Sequence, residues 1–327
     1  MVVGFPLGSL MAASKEPMQI NKTKMKELET QPSSKLEYYV LDVFTEKRFS
    51  GNQLSVVHCH DELTLDQYHD ISKEFGYSET SFVTYSEKEN IFKVRSFTPS
   101  EFEVTGAGHN LLGAVCLALL KGWDIFRSQG TMPWVLIKDT KIPLVITKMN
   151  NLFYVGMKQK AASVTKGLPT NEVASAIGLA AEELNLNGWQ NNVVETEIAH
   201  LMVPVKDGNA LRKAIPAKQL LKQLSEKYGF EGFYLFTTNH NEDDGYVAEA
   251  RFFNPGIGID EDPATGTAAG PLTGYLYQLG YIEEGKTYKI LQGVAIDRPS
   301  VIDVQVTADG ILVSGSSVIV MEGVIHL

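Results

Sequence analysis

Short runs rich in β-branched and aromatic residues recur along the chain, and polar or glycine-containing segments separate them. Runs of this kind predict β-strands. In the first half of the chain, strands are predicted over residues 38–44, 54–58, 81–85, 92–97, 134–137, 144–147 and 153–157. In the second half, strands are predicted over residues 233–237, 246–253 and 301–307. With the helices described next, these strands predict an α+β fold.

Two predicted helices differ from the rest because they are apolar on every side. Residues 111–120 are all apolar or glycine, and residues 267–279 begin with small residues that permit close backbone packing. A helix that is apolar all round is buried all round, so each is expected inside a cage of strands. An outer helix is predicted after Thr64, which forms a capping box with Gln67. Further helices are predicted over residues 172–177, 181–184 and 217–228.

The same motif precedes both apolar helices. Arg95 begins an Arg-x-Phe-x-Pro segment and Gly108 follows it, while Arg251 begins a second copy and Gly266 follows that one. This repeat predicts two lobes related by a pseudo-twofold axis, each a curled mixed sheet around a central helix. Both helix N-termini would then point into one cleft, where their unpaired N–H groups favour an anion.

Three motifs, in this order, resemble those of the PhzF-like isomerase family. They are Glu-Thr-Ser-Phe at residues 79–82, Gly-His at residues 108–109 and Asp-Pro-Ala-Thr-Gly at residues 262–266. The opening Asp-Val-Phe at residues 42–44, with Gly-Asn at residues 51–52, is also similar. The resemblance implies the diaminopimelate epimerase fold.

The resemblance extends over about residues 36–327 and sets the expected domain division. Residues 1–35 are polar in their second part and are expected to form a flexible arm. The first lobe is expected to comprise residues 36–158 together with residues 315–327, because the end of the chain resembles the terminal strand of this fold group. The second lobe is expected to comprise residues 159–314.

The resemblance implies a cofactor-independent isomerase that moves a proton between carbons of a small cyclic carboxylate. Glu79 would be the general acid/base, since a carboxyl group in an enclosed site has a raised pKa that suits proton transfer near neutral pH. His109 and Asp262 lie at the N-terminal ends of the two central helices, one at each end, and these ends are called the helix mouths below. Both residues would bind the substrate and assist proton movement. The residues expected to bind the substrate are Asn52, Gly108, Gly266 and Thr267.

Three positions depart from the family pattern. Ser78 stands where the family often has Asn, Gln53 replaces a frequent Pro, and Thr267 replaces a common Ser but keeps the hydroxyl group. These departures bear on substrate preference more than on the class of reaction.

Composition narrows the set of partners. The net charge of −10 argues against a nucleic-acid partner, and no long apolar run indicates a membrane span. The chain has two cysteines, which fits a reducing, cytoplasmic setting. No metal site is expected at His58-Cys59-His60, because neighbours on a strand face opposite sides. No glycine-rich nucleotide motif is present, so no cofactor is expected, and a homodimer is expected only from the resemblance.

Two other functions remain open from the sequence. A two-base epimerase or racemase on the same fold needs one thiol at each helix mouth, whereas these mouths carry His109 and Asp262, and both cysteines lie in the first half. A protein that keeps the fold but only binds a small anion is the second alternative, because a fold does not determine a function.

Overall fold

In the part of the chain that the computed structural model describes, eighteen strands pair into one continuous mixed sheet. The structure describes residues 35–86, 91–126, 133–138, 140–239 and 245–327, so the predicted arm lies outside the described residues except for Lys35. The strands are β1 Lys35–Val43, β2 Asn52–His58, β3 Thr80–Ser86, β4 Ile91–Phe97, β5 Glu103–Val104, β6 Trp134–Ile137, β7 Thr140–Met149, β8 Leu152–Gln159, β9 Ser163–Gly167, β10 Asn192–Glu195, β11 Ala199–Pro204, β12 Gly232–Thr237, β13 Ala248–Asn254, β14 Ile259–Asp262, β15 Thr287–Gln292, β16 Ser300–Thr307, β17 Gly310–Gly315 and β18 Ser317–His326.

The helices lie between these strands. The α-helices are α1 Leu65–Phe75, α2 His109–Leu120, α3 Thr170–Ile177, α4 Gly208–Lys213, α5 Lys218–Tyr228 and α6 Gly266–Gln278. Short 3₁₀ helices are Ala181–Leu184, Pro255–Ile257 and Val294–Ile296. The predicted helix over residues 181–184 is therefore a 3₁₀ turn. The predicted capping box is confirmed, since Thr64 accepts from the backbone of Gln67 and the Gln67 side chain accepts from Thr64.

The order of strand pairing is the same in both halves of the chain. In the first half, β1–β2 is antiparallel, β2–β3 parallel, β3–β4 and β4–β5 antiparallel, β4–β6 parallel, and β6–β7 and β7–β8 antiparallel. In the second half, the same sequence of pairings runs through β10, β11, β12, β13, β14, β15, β16 and β17. Antiparallel pairing of β8 with β17 joins the halves. The duplicated architecture predicted from the repeat is confirmed, whereas the proposed boundaries between the lobes stay a prediction.

The repeated arginines occupy equivalent places. Arg95 donates to both carboxylate oxygens of Glu103 at 2.8 and 3.0 Å, and its guanidinium lies 5.1 Å from the Phe97 ring centre. Arg251 donates to both oxygens of Glu261 at 2.9 and 2.7 Å, and lies 4.9 Å from the Phe253 ring. Each bidentate pair closes the hairpin that leads to a central helix, so the repeat fixes where both helix mouths begin.

The two central helices are buried as predicted. Helix α2 is enclosed from His109 to Ala118, although its last residue, Leu120, is 36% exposed. Helix α6 is enclosed from Gly266 to Leu276 apart from its second residue, Thr267. Its small residues serve close packing, because a Cβ atom at Gly270 would lie 1.8 Å from Gln159 Oε1 and one at Gly274 would lie 2.1 Å from Ala162 Cβ. Gln159 at the end of β8 and Ala162 shortly after it therefore lie directly against α6.

Candidate active site

Glu79 lies in the short connection between α1 and β3. The chain leaves α1 through Gly76 in the left-handed conformation and enters β3 at Thr80. The Thr80 and Ser55 hydroxyl groups are 2.7 Å apart across the parallel β2–β3 pair. Ser81 donates to the Asn110 carbonyl oxygen in the first turn of α2 at 3.2 Å. These contacts tie the Glu79 segment to the mouth of the first central helix.

The Glu79 carboxyl group is shielded although the residue as a whole is half-buried. Its Oε2 atom is closed off from solvent and has no hydrogen-bond partner among the described residues. Burial, and secondarily the negative charge of Asp262, raise the pKa of Glu79 from 4.5 to about 8. The two carboxyl groups, which are 183 positions apart in the sequence, thus lie within electrostatic reach of each other.

Asp262 ends β14 and faces the mouth of α6. The Thr265 hydroxyl donates to Asp262 Oδ2 at 2.5 Å, and the Asn52 amide donates to Asp262 Oδ1 at 2.8 Å. Burial raises the pKa of Asp262 to about 6, and the hydrogen bonds from Thr265 and Asn52 act in the opposite direction. Near neutral pH, Glu79 is therefore the more protonated of the two carboxyl groups.

Asn52 bridges the two halves of the chain. It begins β2, and its Nδ2 atom donates to Asp262 and, at 3.0 Å, to the Ala264 carbonyl oxygen. Both amide hydrogens are thereby engaged within the protein. The expectation that Asn52 binds the substrate remains a prediction, and the contacts place this residue as a support for Asp262.

His109 is the first residue of α2 and is buried. Its Nε2 atom is shielded and has no hydrogen-bond partner among the described residues. Burial lowers the pKa of His109 to about 4, so the ring is neutral near pH 7. Gly108 precedes it, and the Gly108 N–H donates to Asn110 Oδ1 at 2.8 Å. That N–H group is therefore engaged within the turn.

The mouth of α6 presents backbone N–H groups. Ala268 and Ala269 donate to the Thr265 carbonyl oxygen at 3.1 and 3.0 Å. The N–H groups of Gly266 and Thr267 precede them in the first turn, where a helix has no intrahelical acceptors. Among the backbone–backbone hydrogen bonds of the described turns, loops and caps, none is donated by either of these two N–H groups. The geometry suits a carboxylate or a developing negative charge.

Phe44 from the first half forms a wall beside this mouth. Its ring approaches Gly266, where a Cβ atom would lie 3.4 Å from Phe44 Cζ. Its backbone has φ 61°, which is rare for a bulky residue, and is held by bonds from Phe44 N to Ser316 O and from Val301 N to Phe44 O at 2.8 and 2.7 Å. Gly315 must be glycine, because a Cβ atom there would lie 2.5 Å from the ring.

The structure brings together Glu79, Asp262 and Asn52, and places His109 and Gly266 at the mouths of the two central helices. Sequence reasoning missed three buried polar side chains that support the Asp262 turn: Gln159, Tyr234 and Gln292. Gln159 donates to the Gly266 carbonyl oxygen at 2.9 Å, and Tyr234 donates to Gln292 Oε1 at 2.9 Å. For Gln159 and Gln292, the only local signal was a polar residue at the end of a strand.

Comparison with known proteins assigns the family. Residues 41–323 match the model of the phenazine biosynthesis-like proteins, PhzC-PhzF. The chain belongs to this family. An uncharacterized isomerase of Clostridium acetobutylicum is 30% identical over 303 residues, which cover 88% of this chain and 97% of that one. The trans-2,3-dihydro-3-hydroxyanthranilate isomerase of Pseudomonas chlororaphis is 30% identical over 264 residues, which cover 80% and 87%. This PhzF-family chain is accordingly an isomerase.

Solved structures agree on the fold. A phenazine biosynthesis protein of the PhzF family from Bacillus anthracis superposes with a TM-score of 0.80 at 24% identity, covering 90% of this chain and all of that one. More distant structural relatives extend to proline racemase-like proteins. The predicted α+β epimerase-like fold is confirmed.

Among the described residues, no three or more His, Cys, Asp or Glu side chains are grouped so that they could hold a metal ion. Within the same ranges, no helix combines the length and the apolar character that a membrane crossing requires.

Proposed function

We propose that this isomerase moves a proton between two carbons of a small cyclic carboxylate, with Glu79 as the general acid/base and without a cofactor. The observation that carries the proposal is the shielded, unpartnered Oε2 atom of Glu79 opposite Asp262. A carboxyl group with a pKa of about 8 can both take and return a proton near neutral pH. Glu79 would remove the proton from one carbon and deliver it to another.

The remaining site residues would hold the substrate and its developing charge. The N–H groups of Gly266 and Thr267 would receive the substrate carboxylate or a negative charge formed when the proton leaves. His109, neutral near pH 7 with a shielded Nε2 atom, would donate to or accept from the substrate. Asp262, held by Asn52 and Thr265, would orient a polar substituent of the ring.

Strand register argues against a counterpart of Glu79 in the other half. Thr80 faces Phe97 across β3–β4, and Phe233 faces Phe253 across β12–β13, so Thr80 and Phe233 are equivalent positions. The residue before Thr80 is Glu79, whereas the residue before Phe233 is Gly232. A Cβ atom at Gly232 would lie 2.3 Å from the Phe252 ring, which leaves no room for a side chain.

The thiols are also poorly placed for a two-base reaction. Cys59 and Cys116 are both buried, and burial raises the pKa of each to about 12. A thiol with such a pKa stays protonated near neutral pH, so almost no thiolate is present there to accept a proton. These observations favour a single carboxyl shuttle over an epimerase with one thiol per lobe.

A protein that only binds a small anion is the remaining alternative. It would use the same helix mouths, but it would not need a shielded carboxyl group, which repels an anion when it is ionised. A carboxyl group with a raised pKa inside an anion site therefore favours catalysis.

The test is solvent deuterium uptake. The purified protein is incubated in deuterated water with a panel of small cyclic carboxylates that includes trans-2,3-dihydro-3-hydroxyanthranilate, and proton NMR follows deuterium at carbon. A Glu79→Gln variant is compared with Glu74→Gln, which changes an exposed glutamate on α1. Loss of uptake by about 100-fold or more is expected only for Glu79→Gln, the range by which acid/base groups accelerate reactions.

Each outcome distinguishes the alternatives. Uptake that survives in Glu79→Gln would remove Glu79 from the proposed role. Binding of panel compounds without uptake in the parent protein would favour the anion-binding alternative. Uptake in the parent and in Glu74→Gln, but not in Glu79→Gln, would support the proposal and identify the substrate class.

A further inference from the structure

Gln292 is fully buried at the end of β15, and all its polar atoms contact either the turn formed by residues 262–266 or Tyr234 on β12. Its Oε1 atom accepts from the Tyr234 hydroxyl at 2.9 Å and from the Thr265 N–H at 3.2 Å. Its Nε2 atom donates to the Asp262 carbonyl oxygen at 2.8 Å and to Thr265 Oγ1 at 3.1 Å. The side-chain amide thus uses two donors and two acceptor positions at once.

These partners fix the orientation of the amide. The Thr265 N–H group can only donate, so it requires the oxygen, and the Asp262 carbonyl oxygen can only accept, so it requires the nitrogen. The neighbouring Gly293 has φ 80° and approaches the same turn, since a Cβ atom there would lie 2.7 Å from the Pro263 carbonyl oxygen. The end of β15 therefore contacts the turn through the Gln292 side chain and through the Gly293 backbone.

The hydrogen bonds form a directed chain that ends on the Asp262 carboxyl group. Tyr234 donates to Gln292, Gln292 donates to Thr265 Oγ1, and the Thr265 hydroxyl donates to Asp262 Oδ2 at 2.5 Å. Because Nε2 occupies an acceptor position of the Thr265 hydroxyl, the hydroxyl hydrogen is left to point at Asp262. Successive bonds in such a chain polarise one another.

We propose that Gln292 is a positioning residue for the isomerase reaction: it holds the 262–266 turn so that the Thr265 hydroxyl points at the Asp262 carboxyl group and the mouth of α6 keeps its geometry. The proposal deepens the proposed function, because Asp262 and the α6 mouth are parts of that site. Gln292 itself touches the turn and Tyr234, and acts through them.

The test starts with the carboxyl group that Gln292 is inferred to control. The titratable groups that interact with Asp262 are Glu79, before β3, and Tyr234, on β12. The full chain is labelled with ¹³C at the aspartate carboxyl carbons, and the Asp262 signal, assigned with Asp262→Asn, is followed against pH. Since the Thr265 hydrogen bond lowers the pKa of Asp262, a Gln292→Met variant should titrate Asp262 at higher pH than the parent.

A matched control separates this role from a general effect of losing a glutamine. Gln305, on the adjacent β16, donates to the Gly285 carbonyl oxygen near the surface, and Gln305→Met should leave the Asp262 titration unchanged. An unchanged or lowered Asp262 pKa in folded Gln292→Met would overturn the proposal. If that variant does not fold, the parent protein decides the question. In the parent protein, the NMR signals of the Gln292 side-chain amide should change with pH at the same midpoint as the Asp262 carboxyl signal. Amide signals that stay constant across the Asp262 titration would overturn the proposal.

Turnover supplies a second readout. With a compound that supports deuterium uptake, Gln292→Met should lower kcat by roughly 10- to 100-fold and change KM less, because a misplaced group affects the reacting geometry more than binding. Equal loss in Gln305→Met would count against the proposal. The NMR titration needs no substrate, so it tests the Gln292 role independently of turnover. Failure of the proposed function would be seen instead as deuterium uptake that survives in Glu79→Gln.

Discussion

Replacing Glu79 by Gln should stabilise the protein, and more so at high pH than at low pH. The folded state binds the Glu79 proton more tightly than the unfolded chain, because burial raises the pKa from 4.5 to about 8. Between these two values the folded state carries more protons, so the stability of the parent falls as pH rises through this window. Glutamine cannot ionise and does not incur this loss.

The expected size follows from the pKa. Each tenfold change in proton affinity corresponds to about 1.4 kcal/mol, so the difference between 4.5 and about 8 gives an upper value of roughly 5 kcal/mol. Because Glu79 as a whole is only half-buried, solvent reduces this figure. We compare the free energy of unfolding of Glu79→Gln with that of the parent at each pH. Between pH 5 and pH 8.5 this difference should grow in favour of Glu79→Gln by on the order of 2–3 kcal/mol.

Thermal unfolding of the parent, Glu79→Gln and Glu74→Gln, each measured from pH 5 to pH 8.5, checks this expectation. The midpoint of Glu79→Gln should exceed that of the parent by an amount that grows with pH, and Glu74→Gln should follow the parent. A constant difference between Glu79→Gln and the parent across the range would refute the reasoning. It would mean that the folded protein does not hold the Glu79 proton more tightly than the unfolded chain.

Two further predictions concern the thiols and the packing of α6. A Cys59→Ser, Cys116→Ser double variant should retain deuterium uptake within a few-fold of the parent once folding is verified by circular dichroism, and abolished uptake in a folded variant would revive the thiol mechanism. Gly270→Ala should destabilise the protein by about 1–3 kcal/mol, because the new Cβ atom would lie 1.8 Å from Gln159 Oε1. In a Gln159→Ala background, Gly270→Ala should lower the free energy of unfolding, measured with denaturant, by clearly less. An equal loss in both backgrounds would show that the clash is not with Gln159.

Local patterns predicted the features that depend on local chemistry. The capping box at Thr64 and the apolar central helices were predicted because a few neighbouring residues determine them. The predicted strand over residues 54–58 begins two residues earlier, at Asn52, which pairs with Val43 and directs its polar side chain at Asp262 rather than at solvent. Pattern alone cannot identify a polar residue that is buried because of a distant partner.

The polar supports of the site could not be predicted for the same reason. Asn52 and Asp262 are 210 positions apart, and Gln159 and Gly266 are 107 apart. Nothing near Gln159 in the sequence indicates that its side chain fills the space left open by Gly270. Such pairs become visible only when the strands bring the two halves together, so a single sequence identifies the motif residues but not the side chains that hold them.

The duplicated fold separates what supports the site from what performs the chemistry. Both halves keep the arginine–glutamate pair ahead of a central helix, because each helix mouth needs a hairpin held at a fixed place. The two equivalent positions differ: Glu79 precedes β3 in one half, and Gly232 begins β12 in the other. Two ionised carboxyl groups at these equivalent positions would repel an anionic substrate and each other. The proposed single carboxyl shuttle therefore agrees with the difference between the two halves, since Glu79 has no carboxyl counterpart at Gly232.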